Sequence, residues 1–327
     1  MRLISLLQRL VASSEFGPLV LLIIEFAIFA ALAPAFVSAT NISNLLAFTP
    51  ELGIIALGMT MLMIAGEFDL SVGSVFGFSA VLMWTLYNEN IVPFAVAFLI
   101  AIAVAGIIGF ANGWFVTALK IPSFLVTLGM LLVVRGTALY ITNGFPQGIW
   151  KADVPLARLI GGDFTVAGLR IQATVLWFLL FGVILGYVLT QAKMGNWIQA
   201  SGGNPVAAQA RGVRVARTKK MLFVLTAVMA AFAGIASSIR VQTANPNSGT
   251  GYELEVIAMV VIGGTALSGG RGTIIGTALG VIILRSMRNG IVMVGVPGLA
   301  YNIFIGAIIL GMMAFHSSLE RRHHRGT

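Results

Sequence analysis

Long apolar runs alternate with short polar breaks along the whole chain. The runs lie near 17–37, 49–65, 70–87, 92–117, 123–142, 173–190, 221–239, 253–268, 272–288 and 297–315. About 20 consecutive apolar residues span the hydrocarbon core as a helix, and these runs lack the alternating period of an outer-membrane strand. Hydrocarbon offers backbone amides no partner, so each run has to satisfy its own hydrogen bonds. The pattern predicts an all-α, polytopic bundle of about ten transmembrane helices forming one domain over 1–327. The run from Phe16 follows Arg2 and Arg9 as a signal peptide would, but it is long enough to span and reads as the first transmembrane helix.

Composition agrees with that solvent. Hydrophobic residues make up 58% of the 327 and charged ones 9%, against roughly 25% charged in a soluble domain. The net charge of +9 is concentrated, which makes it topogenic and excludes nucleic acid as the reading: the bilayer is the partner it addresses. Lys193, Arg211, Arg214, Arg217, Lys219 and Lys220 crowd the segment 191–220 without an acidic residue, and Arg321, Arg322 and Arg325 mark the tail 316–327. The positive-inside rule puts both in the cytoplasm, and counting helices from a cytoplasmic amino terminus gives the same sides. The loop 143–172, with Lys151, Arg158 and Arg170 set against Asp153 and Asp163, then faces outward. These features predict a multi-pass protein of the cell inner membrane with both termini cytoplasmic.

The chemistry the chain lacks narrows the function. It has no cysteine, and its three histidines, His316, His323 and His324, sit in the polar tail. No metal site, cofactor site or histidine proton relay is expected within the spans, and a membrane enzyme is disfavoured. No Gly-x-x-x-x-Gly-Lys-Ser/Thr loop occurs, so any ATP that drives this protein is hydrolysed on another chain.

Two junctions are too rich in glycine and small polar residues for plain membrane helices. One runs from Gly66 through Glu67, Asp69, Ser71 and Gly73 to Gly77; the other runs from Gly263 through Gly264, Ser268, Gly269 and Gly270 to Gly276. Each contains Leu-Ser and ends on Gly-small-x-x-Gly. Interrupted segments in corresponding positions point to a transport site, whereas small residues four apart also serve tight helix packing, and both readings stand. Asp69, Ser71, Gly73, Asn112, Gly264 and Ser268 are the candidate pathway residues. Asp69 precedes the third span and suits an N-cap, with or without a place on the pathway. Asn112 reads as an interhelical hydrogen-bonding residue. Glu25 and Arg135 form either an ion pair or two groups reaching separately for the interface.

Within 191–220, Gly202, Gly203, Asn204, Pro205, Ala208, Arg211 and Gly212 spell a short capped helix. Asn204 is a good N-cap, Pro205 suits the first helical position, and Gly212 accepts the left-handed conformation that ends a helix. The alanines would present a small, flat face to a groove on a partner chain. A capped connector with topogenic charge is the plain alternative.

Several blocks carry a family resemblance. Gly66 to Ser74 resembles the Gly-Gly-Ile-Asp-Leu-Ser-Val-Gly-Ser signature of ribose-type permeases of ATP-binding-cassette importers, with Glu67-Phe68 replacing Gly-Ile. Asn112-Gly113, Lys120 to Gly129 with Arg135-Gly136, Gly202-Gly203-Asn204, Gly249 to Leu254 and Gly263 to Gly272 are similar to further family blocks, in order over roughly 50–290. The resemblance implies a permease domain, with 191–220 as the loop that contacts the ATPase. It also implies two ATPase subunits, a periplasmic solute-binding protein, and a second permease copy or paralogue. The expected function is import of a simple sugar or sugar-like solute; an ion-coupled secondary transporter and a passive channel are the alternatives.

Overall fold

The computed structural model describes residues 15–149, 154–166, 169–301 and six further positions up to 311. The basic tail 316–327, its histidines, and the amino-terminal Arg2 and Arg9 lie outside the described residues. The order of helices is α1 (Phe16–Leu32), α2 (Ala39–Ile64), α3 (Val72–Asn88), α4 (Phe94–Ala118), α5 (Ser123–Thr142), α6 (Pro155–Gly161), α7 (Ala173–Gln191), α8 (Lys193–Gly203), α9 (Pro205–Ala210), α10 (Val215–Val241), α11 (Tyr252–Ile262) and α12 (Ile274–Met293). Two small antiparallel pairs break the all-helical pattern: Gln147–Gly148 with Thr243–Ala244, and Asp163–Val166 with Leu169–Gln172. Among the described residues six helices, namely α2, α4, α5, α7, α10 and α12, are long and apolar enough to cross a membrane, and α1 and α3 are shorter apolar helices.

Three boundaries differ from the sequence pattern for identifiable reasons. Helix α2 starts ten residues before its apolar run, because Ser38 caps it by accepting from Asn41 N (3.3 Å) and the Asn41 side chain donates to Phe36 O (2.7 Å). The basic start of α10 continues as helix from Val215. The run 253–268 holds only a half-length helix, α11, which stops at Ile262 although apolar residues continue to Leu267.

Helices α2 and α10 form the buried axis of the bundle, and α4, α5 and α7 surround it with largely open outer faces. The α4–α10 contact shows how sequence sets the spacing. Ala97, Ala101, Ala105, Gly109 and Gly113 recur every four residues on one face of α4, and all are buried. A Cβ at Gly109 would stand 2.8 Å from Val224 Cα and 2.9 Å from Ala227 Cβ, and one at Gly113 would stand 2.8 Å from Lys220 Cα. Small residues let the two backbones approach, replacing the hydrophobic drive that lipid does not supply.

This contact yields a signed pair of expectations. Gly109→Ala pushes a methyl into backbone that cannot yield, at a cost of ~1–3 kcal/mol. Gly129→Ala on α5, where nothing lies within 4 Å, removes glycine's entropic penalty and gains ~0.5–1 kcal/mol. Thermal unfolding in detergent should lower the midpoint of the first variant and leave the second equal or higher; matched midpoints would refute the packing account.

Candidate functional site

Helix α2 ends in a Schellman turn: Gly66, at φ 81°, donates to Met63 O (2.9 Å) and Glu67 N donates to Leu62 O (3.2 Å). Three residues later Asp69 organises the start of α3. Its Oδ1 accepts from Ser71 N (2.7 Å) and Ser71 Oγ (2.6 Å), and its Oδ2 accepts from Asn112 Nδ2 (3.2 Å) of α4. Asn112 Nδ2 also donates to Ser71 Oγ (3.0 Å). Asp69, Ser71 and Asn112 are all fully buried; Ser71 is the N-cap residue and no side chain caps the first turn of α3, so the carboxylate, instead of serving as the expected N-cap, holds Ser71 in place and latches the entry of α3 to α4 in a cluster sealed from the surface. At its rim Glu67, the departure from the family signature, pairs with Lys219 at 2.6 Å.

The second junction opens with the same turn: Gly264, at φ 90°, donates to Val261 O (2.9 Å), and Thr265 N donates to Val260 O (3.2 Å). Both turns need a left-handed residue that glycine adopts without strain. Beyond it the segments diverge. The second is longer, folds back through Ala266 N to Arg271 O (3.0 Å), and is capped onto α12 by Thr273, whose Oγ1 accepts from Gly276 N (3.0 Å). The matching Leu-Ser pairs are therefore not equivalent: Ser71 is buried in the Asp69 cluster, whereas Ser268, like Gly264, is exposed.

The two junctions meet each other and the loop. Gly270 N donates to Ile64 O (2.7 Å), the last carbonyl of α2. Gly202, near the end of α8, lies in the crook of that bond: a Cβ there would collide with Ile64 O and stand 2.7 Å from Gly270 N. A Cβ on Gly269 would stand 2.9 Å from Gly66 Cα and 3.1 Å from Gly202 Cα, and one on Gly270 would stand 2.9 Å from Gly203 Cα. Three glycine segments far apart in the chain thus share one backbone-on-backbone contact.

From this contact the chain runs straight into α9. Asn204 Oδ1 accepts from Ala207 N (3.0 Å), Pro205 occupies the first turn, and Gly212 adopts φ 84°. Val206, Ala207, Gln209, Ala210 and Arg211 are exposed. Ala208 is not: at 5% exposure it is turned into the chain, which corrects its expected place on the presented face.

Gly73 belongs to a different neighbourhood from Asp69. The loop between α10 and α11 lies on the first turns of α3, where a Cβ at Gly77 would stand 2.6 Å from Ser248 O and one at Gly73 would collide with Gly249 O and Glu253 Oε2. Arg135 of α5 clamps the loop: its guanidinium donates to Pro246 O, to Ser248 O (2.8 Å) and to Gly73 O (3.1 Å). Glu25 instead accepts from Ser286 Oγ (2.7 Å), so Glu25 and Arg135 are separate groups. Sequence reasoning missed the remaining charge pairs. Glu51 takes Arg240 in a two-point contact (2.6 and 3.1 Å), and Glu255 gathers Arg285 (3.3 Å) and Tyr301 Oη (2.9 Å). The acidic and basic members stand far apart in sequence, and nothing but their rarity inside apolar runs marks them.

A multi-pass bundle whose interrupted helices converge on a capped loop helix has the build of a membrane permease. Residues 41–313 match the family described as branched-chain amino acid transport system / permease component. The probable ABC transporter permease protein YphD of Escherichia coli (strain K12) is 35% identical over 309 residues, covering 94% of this chain and 91% of that protein. Ribose import permease protein RbsC of Bacillus subtilis (strain 168) is 34% identical over 296 residues, 90% of each chain. Xylose/arabinose import permease protein XylH of Sulfolobus acidocaldarius is 32% identical over 298 residues, covering 89% of this chain and 81% of that protein. No solved structure matches the chain. The chain belongs to this family of transport-system permeases.

The Asp69 cluster separates two substitutions. Asn at 69 keeps an oxygen for Ser71 N, and its new amide can be met by Asn112 Oδ1, which has no partner. Asp69→Ala removes the latch and strands the buried N–H of Ser71, at ~1–3 kcal/mol per unsatisfied group. Asp69→Asn should melt near the wild-type midpoint in detergent and Asp69→Ala well below it; equal midpoints would mean that the latch carries no stability.

Proposed function

We propose that the chain is the membrane-spanning permease subunit of an ATP-binding-cassette importer for a simple sugar or sugar-like solute. The observation that carries this is nine-tenths coverage by relatives named for ribose import and, in a third organism, for xylose and arabinose import. The family description speaks of branched-chain amino acids, whereas the names of these relatives speak of pentoses. The chain performs no bond chemistry. ATP is hydrolysed by separate ATPase subunits, a periplasmic solute-binding protein delivers the solute, and a second permease copy or paralogue completes the route across the bilayer.

In this reading the chain crosses the membrane about ten times with both termini cytoplasmic, and 191–220 is the cytoplasmic coupling loop. The exposed face of α9 enters the ATPase groove, and the Gly202 contact ties its motion to both broken junctions. Asp69, Ser71 and Asn112 hold the start of α3 in register. The ion-coupled alternative would carry its proton on Glu25, Glu67 or Asp69: Glu67 is paired with Lys219 and Asp69 is engaged by three donors, while the buried Glu25 keeps one oxygen, Oε2, without a hydrogen-bond partner.

Two measurements test this. In a chain without cysteine, Gln199→Cys should react with an impermeant thiol reagent only from the cytoplasmic face and Gln147→Cys only from outside; the opposite pattern would invert the topology. Val206→Glu, at a position 78% exposed, should leave the melting midpoint unchanged yet abolish ATP-driven uptake of ribose or xylose by the reconstituted importer. Uptake at the wild-type rate would mean that α9 does not dock, and uptake that a proton uncoupler abolishes while ATP stays high would favour ion coupling.

A further inference from the structure

The Gly249 to Leu254 block has no role in the account so far, and its surroundings are unusual. Arg135 sits within α5 about 18 Å from one helix end and about 10 Å from the other, at ~1.5 Å per residue. The loop it clamps is therefore held at the depth of the apolar spans, against Gly73 and Gly77 of α3. Yet the loop is not enclosed: Asn247, Thr250 and Gly251 are exposed, and Glu253 is half-buried. Irregular backbone at such depth does not face lipid; it is covered by protein or lines water. Ionisable residues there mark solute routes.

We propose that the Asn247–Glu253 loop is the wall of the translocation path and makes the direct contacts with a neutral, polyhydroxylated solute. The assignment rests on the importer reading above and moves solute contact away from the sealed Asp69 cluster. Asn247 offers an amide at the surface. Thr250 Oγ1 donates to Asn247 O (2.7 Å) and keeps its lone pairs for an incoming hydroxyl. Glu253 uses Oε1 to accept from Gly251 N (3.2 Å) and turns its buried Oε2 towards Gly73, so it shapes the loop from beneath and leaves solute contact to Asn247 and Thr250. The loop's charges also select against a zwitterion. Arg135 gives three of its five N–H donors to backbone carbonyls and its field falls on Glu253, so the cation that holds this loop is already matched before an amino acid's carboxylate arrives. Hydroxyl groups need no such partner.

The test uses the complete importer, with its ATPase and binding protein, in proteoliposomes. Asn247→Cys and Thr250→Cys should react with a water-soluble quaternary-ammonium methanethiosulfonate far faster than Leu132→Cys, a 65% exposed position on the outer face of α5, and excess ribose or xylose should slow the reaction. Asn247→Ala and Thr250→Val should keep the wild-type melting midpoint and binding-protein-stimulated ATP hydrolysis, while pentose uptake falls about five- to tenfold, the scale of one lost hydrogen bond. Cysteines at 247 and 250 that react as slowly as at 132 from both faces would overturn the proposal, because the loop would then be covered by a second chain or by lipid. So would uptake at the wild-type rate in both substituted importers. Labelling needs no solute, so a wild-type complex that imports neither pentose would count against the sugar-import reading while the labelling rates still decide whether the loop lines water.

Discussion

Both glycine junctions and the α8–α9 segment meet at one hydrogen bond, from Gly270 N to the last carbonyl of α2 at Ile64. A helix that ends under a cover of protein leaves carbonyls without partners, and no water reaches them there. Here the Schellman turn at Gly66 satisfies part of that need, and the second junction supplies a donor for Ile64. Such a bond requires main chains to touch, and that explains why Gly202, Gly269 and Gly270 are glycines, while Gly66 is required by its left-handed backbone. A single methyl at Gly202 would stand inside the Ile64 carbonyl. The broken helices and the loop helix are thus one structural unit, although their residues are spread over most of the chain.

Charge is handled by the same rule of local satisfaction. An ionised group at the centre of a membrane costs ~2.5–3.5 kcal/mol even on the lenient scale, so each needs a partner within reach. Glu51 on the buried α2 is matched by Arg240 of α10, whose guanidinium also lies 4.4 Å from the centre of the Phe48 ring. Glu255 sits between Arg285 and Tyr301, and Asp69 has three donors. Arg135 is matched mainly by carbonyl dipoles instead of a carboxylate, which lets one cation hold a piece of irregular backbone on a helix.

The sequence was legible wherever an apolar run coincided with a complete helix. α4, α5 and α7 follow their runs to within two residues, because nothing but length and hydropathy decides them. Reading failed where local capping overrides hydropathy. Thr-Asn-Ile-Ser-Asn at 40–44 resembles a loop, yet the Ser38 cap turns it into the first turns of α2. Ala266-Leu267 continues an apolar run, yet the turn at Gly264 has already ended α11. The glycine junctions were visible as oddities, but their contact with Gly202 was not, since a meeting of main chains has no side-chain signature. The rotation of a six-residue helix is equally invisible, and so Ala208 was assigned to the wrong face of α9.

Helix α3 draws these strands together. Its entry is set by the Gly66 turn and the Asp69 latch, and its first two turns, through Gly73 and Gly77, form the floor on which the Arg135-clamped loop rests. A rigid displacement of α9 acts first on Gly202 and Gly203, which touch Gly66 on one side and Gly269 and Gly270 on the other. The Gly66 side leads through Asp69 and Ser71 to the underside of the loop at Gly73. The Gly270 side leads through Arg271 to α12 and through Gly264 back to α11, whose other end begins where that loop finishes, at Tyr252. The loop is therefore gripped from below and from its own following helix by the two junctions that share one contact with the α8–α9 segment. Flexible side chains would absorb a small displacement along such a route; contacts between main chains, with glycine on both surfaces, have no slack with which to do so.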